Sequence, residues 1–75
     1  MTLNEFVEKF AEEFDDTPVE EFTPATNYRA LDEWSSLIAL SIISMVDDEF
    51  DKLITGSDLK ACETIEALYN LIESK

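Results

Sequence analysis

Leu3, Phe6, Val7, Phe10 and Phe14 recur at intervals of three and four, with Glu5, Glu8, Glu12 and Glu13 set between them. That spacing is helical, and Thr2 followed by Glu5 has the form of a capping box. It predicts a first helix from about Leu3 to about Phe14 with a solvated acidic face. From Asp15 to Ser35 the period lapses; Pro18 and Pro24 bracket Val19-Glu20-Glu21-Phe22, and Thr26 and Asn27 are turn formers. A loop of this length in a small domain needs pinning. Phe22, Tyr28, Leu31 and Trp34 are expected to pin it by dipping into the core, with a short helical turn inside the loop. A second helix begins at Ser35 or Ser36, either of which can cap it, and runs to Phe50 with no Gly or Pro to stop it. Ala39, Ile42, Ile43, Val46 and Phe50 gather on its core side, and Ser41, Ser44 and Asp48 oppose them. Leu37 falls in the middle of the polar side and Leu40 borders it. Gly56 and Ser57 start a short helical turn through Leu59. Thr64 then caps a last helix with core positions Ile65, Leu68, Tyr69 and Ile72. No segment alternates as a strand does, and no repeat is present. The expectation is one all-α domain over residues 1–75, a four-helix bundle of three main helices and one short helix, with a long loop between the first two.

Charge narrows what such a bundle does. The 75 residues include 18 acidic and 5 basic side chains and no histidine, a formal charge of −13. Phosphate-rich surfaces repel such a chain, which argues against nucleic acid and anionic lipid as partners. Partners should instead offer basic or apolar patches. The composition is 45% hydrophobic with five Phe, more than an acidic disordered tail carries. The nearly apolar run from Leu37 to Val46 is far short of the ~20 residues that span a bilayer, so no membrane insertion is expected. Met1-Thr2-Leu3-Asn4-Glu5 leads straight into the polar, periodic segment, and the lone Cys62 has no disulfide partner in the chain. A cytoplasmic monomer is the expectation.

Without histidine the usual base for a serine or cysteine nucleophile is missing, as is any Cys/His cluster for zinc. The chain is therefore not expected to be an enzyme or to hold a metal. Asp47, Glu49 and Asp51 alternate as calcium ligands do, but counting from Asp47 puts Lys52 where the loop requires Gly and Asp58 where it requires Glu. A single glycine permits no phosphate-binding loop. Cys62 reads as a small core hydrophobe, with Glu63 disfavouring its thiolate. Ser36, judged by position alone, reads as a helix cap.

The run Leu31-Asp32-Glu33-Trp34-Ser35-Ser36-Leu37 resembles the L-x-x-W-D-S-L segment of the acyl carrier protein family, which includes peptidyl carrier domains. The likeness extends along the chain through Tyr28, Asp48-Glu49-Phe50, Ser57-Asp58-Leu59 and Thr64-Ile65-Glu66-Ala67-Leu68. It implies an acyl-carrier-like bundle whose serine before the leucine, Ser36, bears a covalent 4′-phosphopantetheine arm. The arm would be added by a phosphopantetheinyl transferase from coenzyme A, and its thiol would hold acyl or aminoacyl groups as thioesters for separate loading and acyl-using enzymes. The docking surface expected for those enzymes is Leu37, Leu40, Ser41, Ser44, Asp47 and Asp48. A groove between helices is expected to shelter the acyl chain. Two departures stand out. Ser35 replaces the aspartate that helps hold the metal ion during arm transfer, with Asp32 and Glu33 as substitutes. Ile38 and Ser41 occupy positions that commonly carry acids in fatty-acid carriers, so this face is nearer the apolar docking faces of carriers in specialised lipid or polyketide-like pathways. The alternative reading is an unmodified carrier-like acidic module that serves as an interaction or regulatory partner.

Overall fold

Thr2 caps the first helix of the computed structural model, which describes residues 2–75; Met1, the first residue of the expected 1–75 domain, lies outside the described residues. The Thr2 hydroxyl accepts from the Glu5 N–H at 3.2 Å, and helix α1 runs over Leu3–Glu12. It ends two residues before the expected Phe14. Glu13 closes the last turn, yet the Phe14 N–H still bonds the Ala11 carbonyl at 3.0 Å, so the ring stays buried. Helix α2 covers Ser36–Phe50 with Ser35 as its cap. Neither Gly nor Pro ends it: Asp51 adopts the left-handed conformation, φ 54° and ψ 41°, and its N–H caps the Val46 and Asp47 carbonyls. Asp tolerates that region better than most residues because its short polar side chain bonds locally. Helix α3 covers Gly56–Ala61, longer than the expected turn. It starts at Gly56 as expected, and its cap is Thr55 in a reciprocal box with Asp58. Helix α4 covers Ile65–Glu73 behind Thr64, as the sequence predicts. The loop contains two short 3₁₀ turns, Val19–Glu21 and Tyr28–Ala30, where one was expected. The fold is thus a small all-α bundle, with no strand among the described residues.

Aromatic rings fill the centre. Phe10 is fully buried, with ring centroids 5.9 Å from Phe6, 5.7 Å from Phe14, 6.3 Å from Phe22 and 5.4 Å from Tyr28. The cluster reaches Trp34, 5.0 Å from Tyr28, and so ties the loop to the residue two before Ser36. Phe22 and Tyr28 pin the loop from within the core, while Leu31 and Trp34 pack half-buried against it. On α2 the buried residues are Ile42, Met45 and Val46, whereas Ala39, Ile43 and Phe50 only flank the core. The inward face is therefore turned toward Met45, which the periodicity left out, because both α1 and α3 pack on α2 and share its apolar arc. Ile38 is half-buried and packs in part against the core.

Two ion pairs join described side chains, Lys9 to Glu49 at 2.9 Å and Lys75 to Asp58 at 3.3 Å. They offset little of a −13 charge, and exposed pairs contribute little in any case. The melting temperature is therefore expected to rise as salt shortens the Debye length to about 10 Å near 0.1 M. A flat or falling melting curve series would show that the repulsion is already relieved in the fold.

Candidate functional site

The start of α2 divides its two serines by task. Ser35, extended at φ −154° and ψ 173°, turns its hydroxyl inward to accept from the Ile38 N–H at 3.3 Å, and its carbonyl accepts from Ala39 at 2.9 Å. With the capping done by Ser35, the neighbouring Ser36 is exposed and its hydroxyl has no partner within the described residues. The N–H groups of Ser36 and Leu37 likewise make no bond there. The start of α4 is closed by contrast: Ile65 and Glu66 donate to the loop carbonyls of Thr26 and Pro24 at 3.2 and 2.9 Å, and Ala67 donates to Thr64. A helix start with free N–H groups favours an anion. At α2 those groups stand beside a free hydroxyl.

Two anchors hold the approach to this serine. The Tyr28 hydroxyl, in the core, donates to the Leu59 carbonyl and reaches the Cys62 carbonyl at 2.9 Å, joining the loop to the end of α3. Burial pushes the Tyr28 phenol far above its usual range, so it stays a donor. The Cys62 thiol is pushed up by burial first and by Asp58 second, rather than by Glu63, and it packs in the core. The second anchor is Glu33. Its carboxylate accepts from the N–H groups of Asp15, Asp16 and Thr17 at 2.8, 3.1 and 3.0 Å and from the Thr17 hydroxyl at 2.8 Å. Both oxygens are thus engaged with the segment after α1. This corrects the expectation that Glu33 supplies charge for a metal beside Ser36, and leaves Asp32, which is exposed, as the remaining carboxylate of that pair.

Partial burial pushes the Glu33 carboxyl up, but the Thr17 hydroxyl and the three N–H groups outweigh it and hold it below the ordinary carboxylate range. A depressed folded-state pKa stabilises the fold above the unfolded value, and the gain is lost as pH falls through the folded one. Glu33→Gln should therefore speed amide exchange at Asp15, Asp16 and Thr17. It should also flatten the acid side of the melting-temperature profile relative to wild type. The difference between the two profiles is the measurement, because Glu13, raised by burial and by Glu12 and Asp15, responds with the opposite sign in both. Equal profiles and unchanged exchange would dismiss the clamp.

Leu37 and Leu40 are 73% and 63% exposed, and Ser44, Asp47 and Asp48 are exposed beside them, whereas Ser41 is half-buried. The stretch is flanked by two depressions. On the α1 side Ser41, Ser44 and Asp48 meet Lys9, Glu12 and Glu13. On the α3 side lies a groove of about 610 Å³ whose walls include Trp34, Ser36, Ala39, Leu40, Ile43 and Leu59. Ser36 opens directly onto it. Three residues of this region escaped the sequence reading: Arg29 and Lys60 on the groove, and Leu53, 72% exposed after α2. For the two cations the scarcity of basic residues was a usable signal; for Leu53 no periodicity existed to read. The chain matches a family model described as a phosphopantetheine attachment site over residues 3–72, from the start of α1 to the last but one residue of α4. No curated protein and no solved structure matches it.

Proposed function

The chain belongs to the phosphopantetheine attachment-site family, and on that premise we propose that Ser36 is the residue that takes the 4′-phosphopantetheine arm. Carrier domains of this family hold the group covalently and are acyl carriers rather than catalysts. They work with a phosphopantetheinyl transferase and with acyl-handling enzymes. The observation that supports Ser36 is the division of labour at the start of α2: the capping hydroxyl belongs to Ser35, and the free one belongs to Ser36 beside two open N–H groups. These groups suit the phosphodiester that attachment creates. Once attached, the arm supplies the thiol on which acyl groups are held as thioesters. The protein's own contribution is to present that arm from a rigid helix end and to offer a groove beside it.

We further propose that residues 1–75 act as one cytoplasmic, monomeric carrier domain in a specialised lipid or polyketide-like pathway. Partner enzymes would dock on Leu37, Leu40, Ser41, Ser44, Asp47 and Asp48. Burying an exposed leucine against a partner is worth about 1.5–3 kcal/mol, while a rim charge mainly tunes on-rate. Leu37→Ala and Leu40→Ala should therefore each raise the KM of a partner enzyme about tenfold or more with an unchanged melting temperature, and Asp48→Lys should act chiefly at low salt. A large loss of melting temperature with unchanged partner kinetics would instead make the leucine a packing residue.

The test of the main reading is the intact mass after incubation with a broad-specificity transferase, magnesium and coenzyme A. One added arm is expected. The rival, an unmodified interaction module, is favoured by Ser35 in place of aspartate and by the engagement of Glu33 elsewhere. No mass gain under forcing conditions would establish it.

A further inference from the structure

Five basic residues must serve a chain of 18 acids, and three of them are committed. Lys9 pairs with Glu49, Lys75 pairs with Asp58, and Lys52 donates to the Lys75 carbonyl at 3.0 Å. Arg29 and Lys60 are exposed and have no ion pair or hydrogen bond from their side chains among the described residues. Both border the groove onto which Ser36 opens. Their proximity has a structural cause. Arg29 follows Tyr28, whose hydroxyl bonds the carbonyls of Leu59 and Cys62, and Lys60 lies between those two acceptors. The same pin therefore joins the two segments that carry these cations, and both line one mainly apolar groove.

An unbranched hydrocarbon cargo makes no use of two cations. An aminoacyl cargo would bring its own ammonium against them. The phosphodiester of an arm on Ser36 already has the open N–H groups of α2, whereas Arg29 and Lys60 belong to other elements, the second 3₁₀ turn and α3. Resting on the reading of Ser36 given above, we propose that this carrier is built for an acyl cargo with a free acid group. Its methylenes lie along Ala39, Leu40, Ile43 and Leu59, and its carboxylate is held by Arg29 and Lys60. Charge-assisted hydrogen bonds from an Arg fork and a Lys ammonium are the chemistry that selects such an end.

The test compares chains of equal length. Apo protein is converted by the transferase with coenzyme A, hexanoyl-coenzyme A or adipoyl-coenzyme A, and each product is checked by intact mass. The adipoyl form should shift the side-chain nitrogen resonances of Arg29 and Lys60. Its thioester should also be cleaved by hydroxylamine about fivefold more slowly than the hexanoyl form, the effect of roughly one exposed ion pair. Both differences should vanish in Arg29→Gln/Lys60→Gln, which replaces two exposed side chains and should leave the circular dichroism spectrum unchanged. The contrast between adipoyl and hexanoyl in the wild type stands without that variant. Equal behaviour of the two acyl forms overturns the proposal, as does a resonance shift already complete in the free-thiol form, which would make the arm's phosphodiester the bound anion. No mass gain with any of the three donors would sink the attachment reading and the cargo proposal together, whereas mass gain without the acid-specific difference would sink only the cargo proposal.

Discussion

Ser36→Ala is expected to abolish arm addition completely, while Ser35→Ala is expected to leave it in place on a less stable protein. The two serines are adjacent and chemically identical, so composition offers no way to choose between them. Backbone geometry gives them different partners. The Ser35 hydroxyl accepts from the Ile38 N–H at 3.3 Å, and losing an N-cap of this kind costs about 1 kcal/mol, or roughly 4–8 °C in a domain of this size. The Ser36 hydroxyl makes no bond within the described residues, so its removal leaves the melting temperature nearly unchanged. The variants should therefore separate cleanly: one loses the arm and keeps stability, the other loses stability and keeps the arm. Intact mass, peptide mapping and a thermal melt read all three quantities. An arm found on Ser35 would reverse the assignment, and an arm on neither serine of the wild type would remove it.

That choice also shows where the sequence stops being informative. The start of α2 was legible to within one residue because Ser is a good cap and no breaker follows, but Ser35 and Ser36 could not be told apart by propensity. Helix α4 was legible from Thr64 and the spacing of Ile65, Leu68 and Ile72, although Tyr69, expected in the core with them, only flanks it. Helix α2 was harder. It is apolar around most of its circumference, since it packs against α1 and α3 and also presents Leu37 and Leu40 to solvent. Its periodicity therefore carries little phase, and Met45 was left out of the expected core while the exposed leucines were found.

The loop shows a different limit. Phe22 and Tyr28 were recognised as pins because large aromatic residues in a polar stretch have nowhere else to go. Their effect on the site was not legible, because it depends on contacts across 31 and 34 residues, from Tyr28 to Leu59 and Cys62. Glu33 is the same case. In sequence it is one more acid near Ser36; in the fold it closes the turn after α1 through four hydrogen bonds. Long-range partners of this kind leave no periodic trace. They also help arrange the groove, since the Tyr28 pin joins the two segments that carry its cations.

Phe10→Ala is expected to be the most damaging single change to the fold, because Phe10 is fully buried and faces four other rings. Truncating a buried Phe costs about 3–5 kcal/mol, against a total stability of order 0.05–0.15 kcal/mol per residue, roughly 4–11 kcal/mol here. The melting temperature should fall by at least about 10 °C, and much of the population should be unfolded near physiological temperature if the native stability is at the low end. Phe50, on the flank of the core and 5.8 Å from Phe6, should cost clearly less on the same change. The site should suffer with the fold, though by a defined route. Phe10 packs on Phe22 and Tyr28, which hold the loop that carries Trp34 to Ser35. Below the variant's melting temperature, arm addition to Ser36 should persist, since the α2 cap does not depend on Phe10. Circular dichroism melts of both variants, with intact mass measured at a temperature where each is folded, check the two statements separately. A Phe10→Ala melt within a few degrees of wild type would mean that the ring cluster is not what holds these four helices together.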